Sequence, residues 1–556
     1  MGWTPPILPL IDTQTLFKPK ADDLAKGTFE LALVMGGTVS AGAYTAGVVD
    51  FLFQALDAWA ADPEGPNHRT VLKVVSGSSG GAVCGALTSV LTGYQFPHTF
   101  DTASSATGNP LFDLWVNTLD IKGMLATDDI KKGKPLPSLL NCAPLNQGIS
   151  NIIHYDGPKV ASRRKWLDDT LPTLLTMTNL RGVPYATDMG NGGKEVFVDH
   201  ADFGRFQVAT TVNGVAENRP DSFVIGSNGT ASRQDLADCA AASAAFPAGF
   251  VARQVVKPMG QYAYNVETVT NGNGTVGLMW QEPDWDSMRD PTGELPSEWF
   301  FASYDGGAID NEPMELARKV LAGYVEPLPS CGAKAQRAVL LIDPFADPPS
   351  LGPAQAGGML SMLGPFVSGL VAQGRYDTSD LSLAADPDRF DRFMINAVRG
   401  KFTGSKAIAS AGLGAFQGFL CRDFRVHDYM LGRLNAYNYL KDILALPENN
   451  PLFDDWTPAQ RDKYRTACGE LPIIPLVDSV SVPATPNWPK GALNPETLRE
   501  GISKRIDAVI EALEDEVLDP AWYVRLYLCP GIKFAESTAA DAAMTAIKTG
   551  LDDWGL

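Results

Sequence analysis

The sequence predicts an α/β protein: three layers around a central, mostly parallel sheet, with hairpin excursions and a mainly helical C-terminal extension. Three observations predict it. Two short apolar runs, residues 29–35 (FELALVM) and 71–76 (VLKVVS), each end in glycine-containing turns. Both runs are predominantly apolar, each with one charged residue (Glu30, Lys73), as strands covered on two faces are. Each is followed by a helical pattern, and strand–helix–strand–helix order at this spacing suits parallel strands joined by crossover helices.

The elements follow in order. After the turn at Gly36, Gly37 and Thr38, Val48, Val49, Leu52, Phe53 and Leu56 recur at helical spacing. The second strand runs into Gly77 and a small-residue helix, GGAVCGALTSVLTG. Residues 180–300 are richer in strand-like pieces (EVFVDH, RFQVATTV, DSFVIG) and in turns such as Asn271-Gly272-Asn273-Gly274, which read as hairpins. Residues 404–445 read as helical with a Gly/Ala-rich start, ending RDFRVHDYMLGRLNAYNYLKDIL. Beyond Leu446 prolines punctuate the chain, as in linkers and wrapping loops. A final helix takes Asn494 as N-cap and Pro495 as first residue, with Leu498, Ile502, Ile506, Val509, Ile510, Leu513 and Val517 as one apolar stripe. The chain thus divides into an N-terminal extension (1–27), a main α/β unit (28–445) and a helical, wrapping extension (446–556). It has no internal repeats.

Composition excludes several classes. Of 556 residues, 45% are hydrophobic and 20% charged, the balance of a globular chain rather than a disordered one. Its 53 glycines and 40 prolines point to many turns. A net charge of −19 repels polyphosphates, which argues against a nucleic-acid partner, and gives no electrostatic hold on anionic lipid. Seven scattered cysteines include no CxxC pair, so neither a metal site nor a disulfide framework is expected; the thiols read as reduced and no cofactor is called for. The N-terminus lacks the basic and apolar regions of a Sec signal, and Pro6 stands where myristoylation of Gly2 would want Ser or Thr. The sequons at Asn228 and Asn273 then read as turns, and the expected location is the cytoplasm, peripheral to membrane at most. No transmembrane segment is expected. The nearest candidate, the uncharged run 348–374, is interrupted by Pro365 and reads as a buried or interfacial helix pair, with a lid or acyl-chain entrance as the functional alternative.

Chemistry concentrates in three places. In Gly77-Ser78-Ser79-Gly80-Gly81, glycines flank Ser79 at minus two and plus two between a strand and a helix. So sharp a turn exposes a serine Oγ at a helix N-terminus, where amides and dipole favour developing negative charge. The Gly36-Gly37-Thr38 loop ends the preceding strand, on the face where parallel sheets place their sites. It offers backbone donors for an oxyanion. A nucleotide-binding loop is the competing reading, but neither GxGxxG nor GxxxxGK[ST] is present. Asp305 ends the apolar stretch WFFASY and precedes Gly306 and Gly307, so it is a candidate base; by local pattern alone an Asp-Gly turn explains it equally well.

Together with GAYTAGVV (42–49), these blocks resemble the patatin-like phospholipases. Asn311 and Pro313 behind Asp305, AASAAFPAGF (241–250), TNLRGVPY (178–185) and the RDFRVHDYM region extend the resemblance, toward the longer bacterial patatin-related type. The resemblance implies a patatin-like α/β fold and a lipid acyl hydrolase with a Ser–Asp dyad and no histidine. It makes Ser79 the nucleophile and Asp305 its base, with a covalent acyl-enzyme. Gly36, Gly37 and Thr38 would supply oxyanion donors, helped by Gly80, and the partner would be lipid at a membrane or lipid-droplet surface. A free aspartate is a weak base, so the site must desolvate Asp305. One departure is visible. The family's loop has three glycines, any residue, a basic residue, then glycine; here Gly37-Thr38-Val39-Ser40-Ala41 precede Gly42, so Ala41 replaces the basic residue. Substrates less charged than phospholipid gain weight.

Two other readings stand. Ser79, Asp305 and His427 follow the chain order of an α/β-hydrolase triad, although His427 lies in a helical pattern and not on a loop. Of the five histidines, His68, His98, His154, His200 and His427, it alone fits that order. A non-catalytic lipid-binding scaffold is the second.

Overall fold

The computed structural model describes residues 24–556, apart from 101, 105, 189–192, 248, 271–275, 324–327, 346–385, 387 and 518–538. The expectations at Gly2 and Pro6, the turn at 271–274 and the apolar run 348–374 therefore lie outside the described residues.

Nine strands form one sheet. Its elements are β1 (Thr28–Met35), β2 (Arg69–Gly77), β3 (Thr170–Asp188), β4 (Lys194–Ala209), β5 (Phe223–Ile225), β6 (Arg253–Pro258), β7 (Glu298–Tyr304), β8 (Arg337–Ile342) and β9 (Arg392–Ile395). The order is β9-β8-β1-β2-β3-β4-β5, with β7 pairing β3 and β6 pairing β7. The β9–β8–β1–β2–β3 run and the β4–β5 pair are parallel; β3–β4, β3–β7 and β6–β7 are antiparallel. The helices that matter here are α1 (Gly42–Ala61), α2 (Gly80–Leu91), α3 (Arg233–Ser243), α4 (Met314–Ala322), α5 (Arg422–Asp442) and α6 (Arg499–Val517).

Strand β1 accounts for the layering. Leu31, Leu33 and Met35 join the large core built with α1 and α2, while Ala32 and Val34 join a smaller cluster with Met314, Ala317 and Leu321 of α4. The strand is buried on both faces, as its largely apolar run predicts. By length and composition the helical stretch Val39–Ala61 could cross a membrane, but 89% of its apolar window is buried within the protein.

Three expectations are corrected. EVFVDH and RFQVATTV are not separate pieces: they fall on or run just past the one long strand β4, antiparallel to β3. The start of the 404–445 segment is not a continuous helix. A short turn at Gly404–Ala407 and an irregular loop precede the helix Gln417–Leu420, because Leu413, Gly414 and Ala415 all have positive φ. Asn494 does cap the last helical region, accepting from the Glu496 amide, but the buried face of α6 differs from the expected stripe. Leu513 is 41% exposed, whereas Arg505 is buried and bonded to Asp129 and to the carbonyls of Ala126, Ser138 and Leu139. A long side chain whose every donor finds an oxygen can lie where a leucine was expected.

Helices α1 and α5 cross at glycines. A Cβ on Gly47 would strike the Tyr429 carbonyl oxygen, and one on Gly432 would strike that of Tyr44. Beside the crossing, fully buried Asp50 pairs with Arg433 and also binds His98 Nδ1 (2.7 Å) and Asn109 Nδ2 (2.9 Å). Gly47→Ala adds helix propensity yet forces these backbones apart. We expect a net loss of about 1–3 kcal/mol by urea unfolding; an unchanged or raised midpoint would mean that the helices do not meet this closely.

Candidate active site

Parallel register brings two turns side by side. Met35 aligns with Gly77, so the Gly36–Gly37 turn and the Ser79 turn leave adjacent strands at the same edge of the sheet. The chain approaches so closely there that a Cβ on Gly81 would meet the carbonyl oxygens of Met35 and Gly36, and one on Gly77 that of Gly81. Ser79 itself has φ +52° and ψ −124°, a conformation a non-glycine residue adopts only when held. Its holder is Ser243, at the C-terminal end of α3, whose hydroxyl accepts the Ser79 amide hydrogen at 2.8 Å.

Asp305 arrives from the opposite direction. Strand β3 bulges between Thr178 and Val183, where Asn179 Oδ1 accepts the Gly182 amide at 2.8 Å and Gly182 takes φ +73°. At the bulge β3 picks up β7, pairing Thr178 with Tyr304 and Asn179 with Ser303. This delivers Asp305 to the end of the strand that neighbours the strand leading into Ser79. Thr178 Oγ1 then donates to the Asp305 carbonyl (2.7 Å), and the Asp305 amide donates to the Ala245 carbonyl (3.0 Å). Residues 243–245 therefore hold the backbones of both Ser79 and Asp305.

The two side chains meet. Ser79 Oγ donates to Asp305 Oδ2 at 2.8 Å, and the Gly307 amide donates to Oδ1 at 2.8 Å. Ser79 is 6% and Asp305 5% exposed. Burial pushes the Asp305 carboxyl up to about 6, because two hydrogen bonds, from Gly307 and Ser79, only partly replace lost water. The arrangement is a carboxylate of raised basicity already bonded to a serine hydroxyl. Behind it, the Asn311 carbonyl accepts from the Gly37 amide (3.1 Å) and the Pro313 carbonyl from Ser76 Oγ (3.2 Å), so this block also clasps both glycine turns.

The donor loop differs from the sequence expectation in detail. Gly36 and Gly37 already donate their amides, to the carbonyls of Ile342 (3.1 Å) and Asn311 (3.1 Å). Neither has a hydrogen left for an oxyanion. Among the described residues the amides of Thr38, Val39 and Gly80 meet no protein acceptor. Val39 escaped the sequence reading. It has φ +47° and stands where the resemblance places the family's third glycine, but a β-branched residue in left-handed backbone has no sequence signal. Ser243 and the 179–182 bulge were visible only as parts of unexplained motifs.

His427 is not brought to the pair. Its Nδ1 is bonded to Asp428 (2.7 Å) and its ring packs edge-on to Trp488. The triad reading fails on this geometry. His68 is also buried, bonded to the Ile473 carbonyl (2.9 Å) and to Trp456, and docks the segment after residue 446. Cys84, Cys142 and Cys239 are buried free thiols, whereas Cys331 and Cys468 are exposed.

Against known proteins, the model of a family described as Patatin-like phospholipase matches residues 33–318. Uncharacterized protein y4iI of Sinorhizobium fredii (strain NBRC 101917 / NGR234) is 30% identical over 549 residues, covering 88% of this chain and 76% of that protein.

A carboxyl raised by burial opposes folding when ionised. The native state holds its proton up to about pH 6 and the unfolded chain only to about 4, so the cost is absent at low pH and complete above about pH 6. Asp305→Asn, which keeps the shape without the charge, should therefore raise the thermal midpoint at pH 8 and lose that advantage near pH 4. An equal gain at both pH values would show that desolvation of the charge is not the cause.

Proposed function

Because the chain belongs to the patatin-like phospholipase family, whose activity is hydrolysis of lipid acyl esters, we propose that Ser79 and Asp305 form its catalytic dyad and that the reaction proceeds through an acyl-enzyme. The observation behind this is the 2.8 Å bond from Ser79 Oγ to a carboxylate with no histidine between them.

Ser79 Oγ attacks the ester carbonyl carbon while its proton passes to Asp305 Oδ2. The carbonyl oxygen becomes an oxyanion, for which the unused amides of Thr38, Val39 and Gly80 are the donors; Gly80 opens α2, where the helix dipole adds to them. The Thr38 hydroxyl, buried without a partner, stands beside Gly80. The Ser79 amide does not take part, since Ser243 holds it. Asp305 next returns the proton to the departing alcohol, leaving acyl-Ser79. It then draws a proton from a water whose oxygen attacks the acyl carbon, and returns that proton to Ser79 Oγ as the bond to the acyl group breaks and the fatty acid leaves. An unperturbed aspartate would be almost fully ionised but weakly basic at neutral pH; at about 6 it stays largely ionised and accepts a proton far more readily.

Ala41 is wholly buried where the resemblance expects a basic side chain, so no cation at that position meets a phosphate. This favours esters with little charge near the scissile bond, alongside phospholipids. The Ser79–Asp305 bond and the unused amides beside it support the enzyme reading over the scaffold reading.

Hydrolysis of a panel of phospholipids and neutral esters tests the proposal. Ser79→Ala and Asp305→Ala should each lose about a thousandfold or more, whereas His427→Ala should lose no more than about tenfold. Wild-type kcat/KM should fall as pH drops below about 6, as Asp305 takes up its proton. Equal turnover by wild type, Ser79→Ala and Asp305→Ala would refute the dyad, and a loss in His427→Ala as large as in Ser79→Ala would restore the triad.

A further inference from the structure

The motif RDFRVHDYM opens α5 without touching the dyad, yet two of its side chains hold a loop that does reach the site. Asp428 accepts the amide hydrogens of Ala409 (2.8 Å) and Ser410 (2.9 Å), besides its bond to His427. Arg425 donates Nη1 to the carbonyls of Gly418 (2.7 Å) and Phe419 (3.1 Å), and its other nitrogens to Val116. Both side chains are fully buried, and three residues apart they share a helix face. The two ends of loop 409–419 are thereby tied to one helix.

Between those ties, Leu413, Gly414 and Ala415 have φ of +58°, +61° and +70°. Two of the three carry side chains that resist this backbone, so the run persists because its surroundings fix it. It presents the Ala415 carbonyl to Ser40, and that one oxygen accepts both the Ser40 amide hydrogen (3.1 Å) and its hydroxyl. Ser40 Oγ in turn accepts the Gly418 amide at 3.0 Å. Ser40 is fully buried, and a Cβ on Gly418 would press on its hydroxyl. Directly before Ser40 stand Thr38 and Val39, with the free amides and the left-handed valine.

Building on the dyad reading above, we propose that loop 409–418 is a brace for the oxyanion loop, acting through Ser40, with Arg425 and Asp428 setting its position. The brace lies wholly outside the 33–318 family match. Ser40 touches no reacting atom and is a positioning residue. Its three bonds, together with the Ala41 amide on the Thr38 carbonyl (2.9 Å), oppose the return of Val39 to negative φ, which would swing the peptide plane bearing the Val39 amide. Such a donor matters where charge develops, so its misplacement weakens the transition state more than the bound ester.

Steady-state kinetics on the full chain test this, with one ester substrate. Ser40→Ala should lower kcat about ten- to a hundredfold, the scale of a lost or displaced oxyanion donor. KM and the pH midpoint near 6 should not move, since Asp305 is untouched, and the thermal midpoint should fall only modestly, because the buried Gly418 amide loses its acceptor. Asp428→Asn keeps the shape but turns one acceptor into a donor, and should lower kcat in the same way by a smaller factor. Wild-type kcat in Ser40→Ala would overturn the brace. So would a rise in KM accompanied by a large fall in the thermal midpoint, which marks general loosening. Ser79→Ala run alongside separates the two readings: the brace fails if Ser40→Ala matches wild type, whereas the hydrolase reading fails if Ser79→Ala does.

Discussion

Burial of the Asp305 carboxylate against Ser79 is the constraint on which the rest of the site depends. A carboxylate taken out of water loses far more than two hydrogen bonds return, and Asp305 receives two, from Ser79 Oγ and the Gly307 amide. The deficit appears as raised basicity. It is tolerable only if the backbones around it cannot relax. Hence the density of bonds there: Thr178 on the Asp305 carbonyl, Ala245 on its amide, Ser243 on the Ser79 amide, and the residues after Asp305 clasping both glycine turns.

Strain is distributed in the same way. Ser79, Val39, Leu413 and Ala415 each hold positive φ without being glycine, a cost of order 1–3 kcal/mol apiece. All four lie at the carboxyl edge of β1 and β2 or in the loop bonded to it. The stabilising counterpart is elsewhere, in a sheet buried on both faces and in the α1–α5 crossing with its Asp50–Arg433 pair. A rigid crossing also fixes where α1 begins and where α5 points Arg425 and Asp428. The same two helices therefore connect the core to the loop carrying the free amides.

Much of this was legible in the residues, and the limits have physical reasons. The runs at 29–35 and 71–76 announced buried strands because a parallel sheet leaves no polar face. The Ser79 turn was legible because a turn that tight excludes bulky neighbours, whereas the local pattern at Asp305 read equally well as an Asp-Gly turn and only the resemblance singled it out. Gly36 and Gly37 misled: glycine marks close approach of backbones, and the approach here is to Asn311 and Ile342, which take the amide hydrogens. Val39 was invisible since left-handed valine contradicts local preference. The Gly/Ala-rich start of 404–445 looked helical because alanine favours helix, but its bonds to Asp428, which accepts the Ala409 and Ser410 amides, and from Ser40, which donates to the Ala415 carbonyl, override that preference. The buried Arg505 on α6 was not read from the sequence, because a buried arginine is recognisable only once its oxygen partners are assembled around it.

Mass spectrometry of the protein after reaction with a fluorophosphonate tests the Ser79–Asp305 pair most directly, because the adduct reports which oxygen is nucleophilic and whether its base is required. The expected result is one adduct in the wild-type protein, on the peptide containing Ser79, and none in Asp305→Asn under the same conditions. An adduct on another residue, or equal labelling of Asp305→Asn, would contradict it.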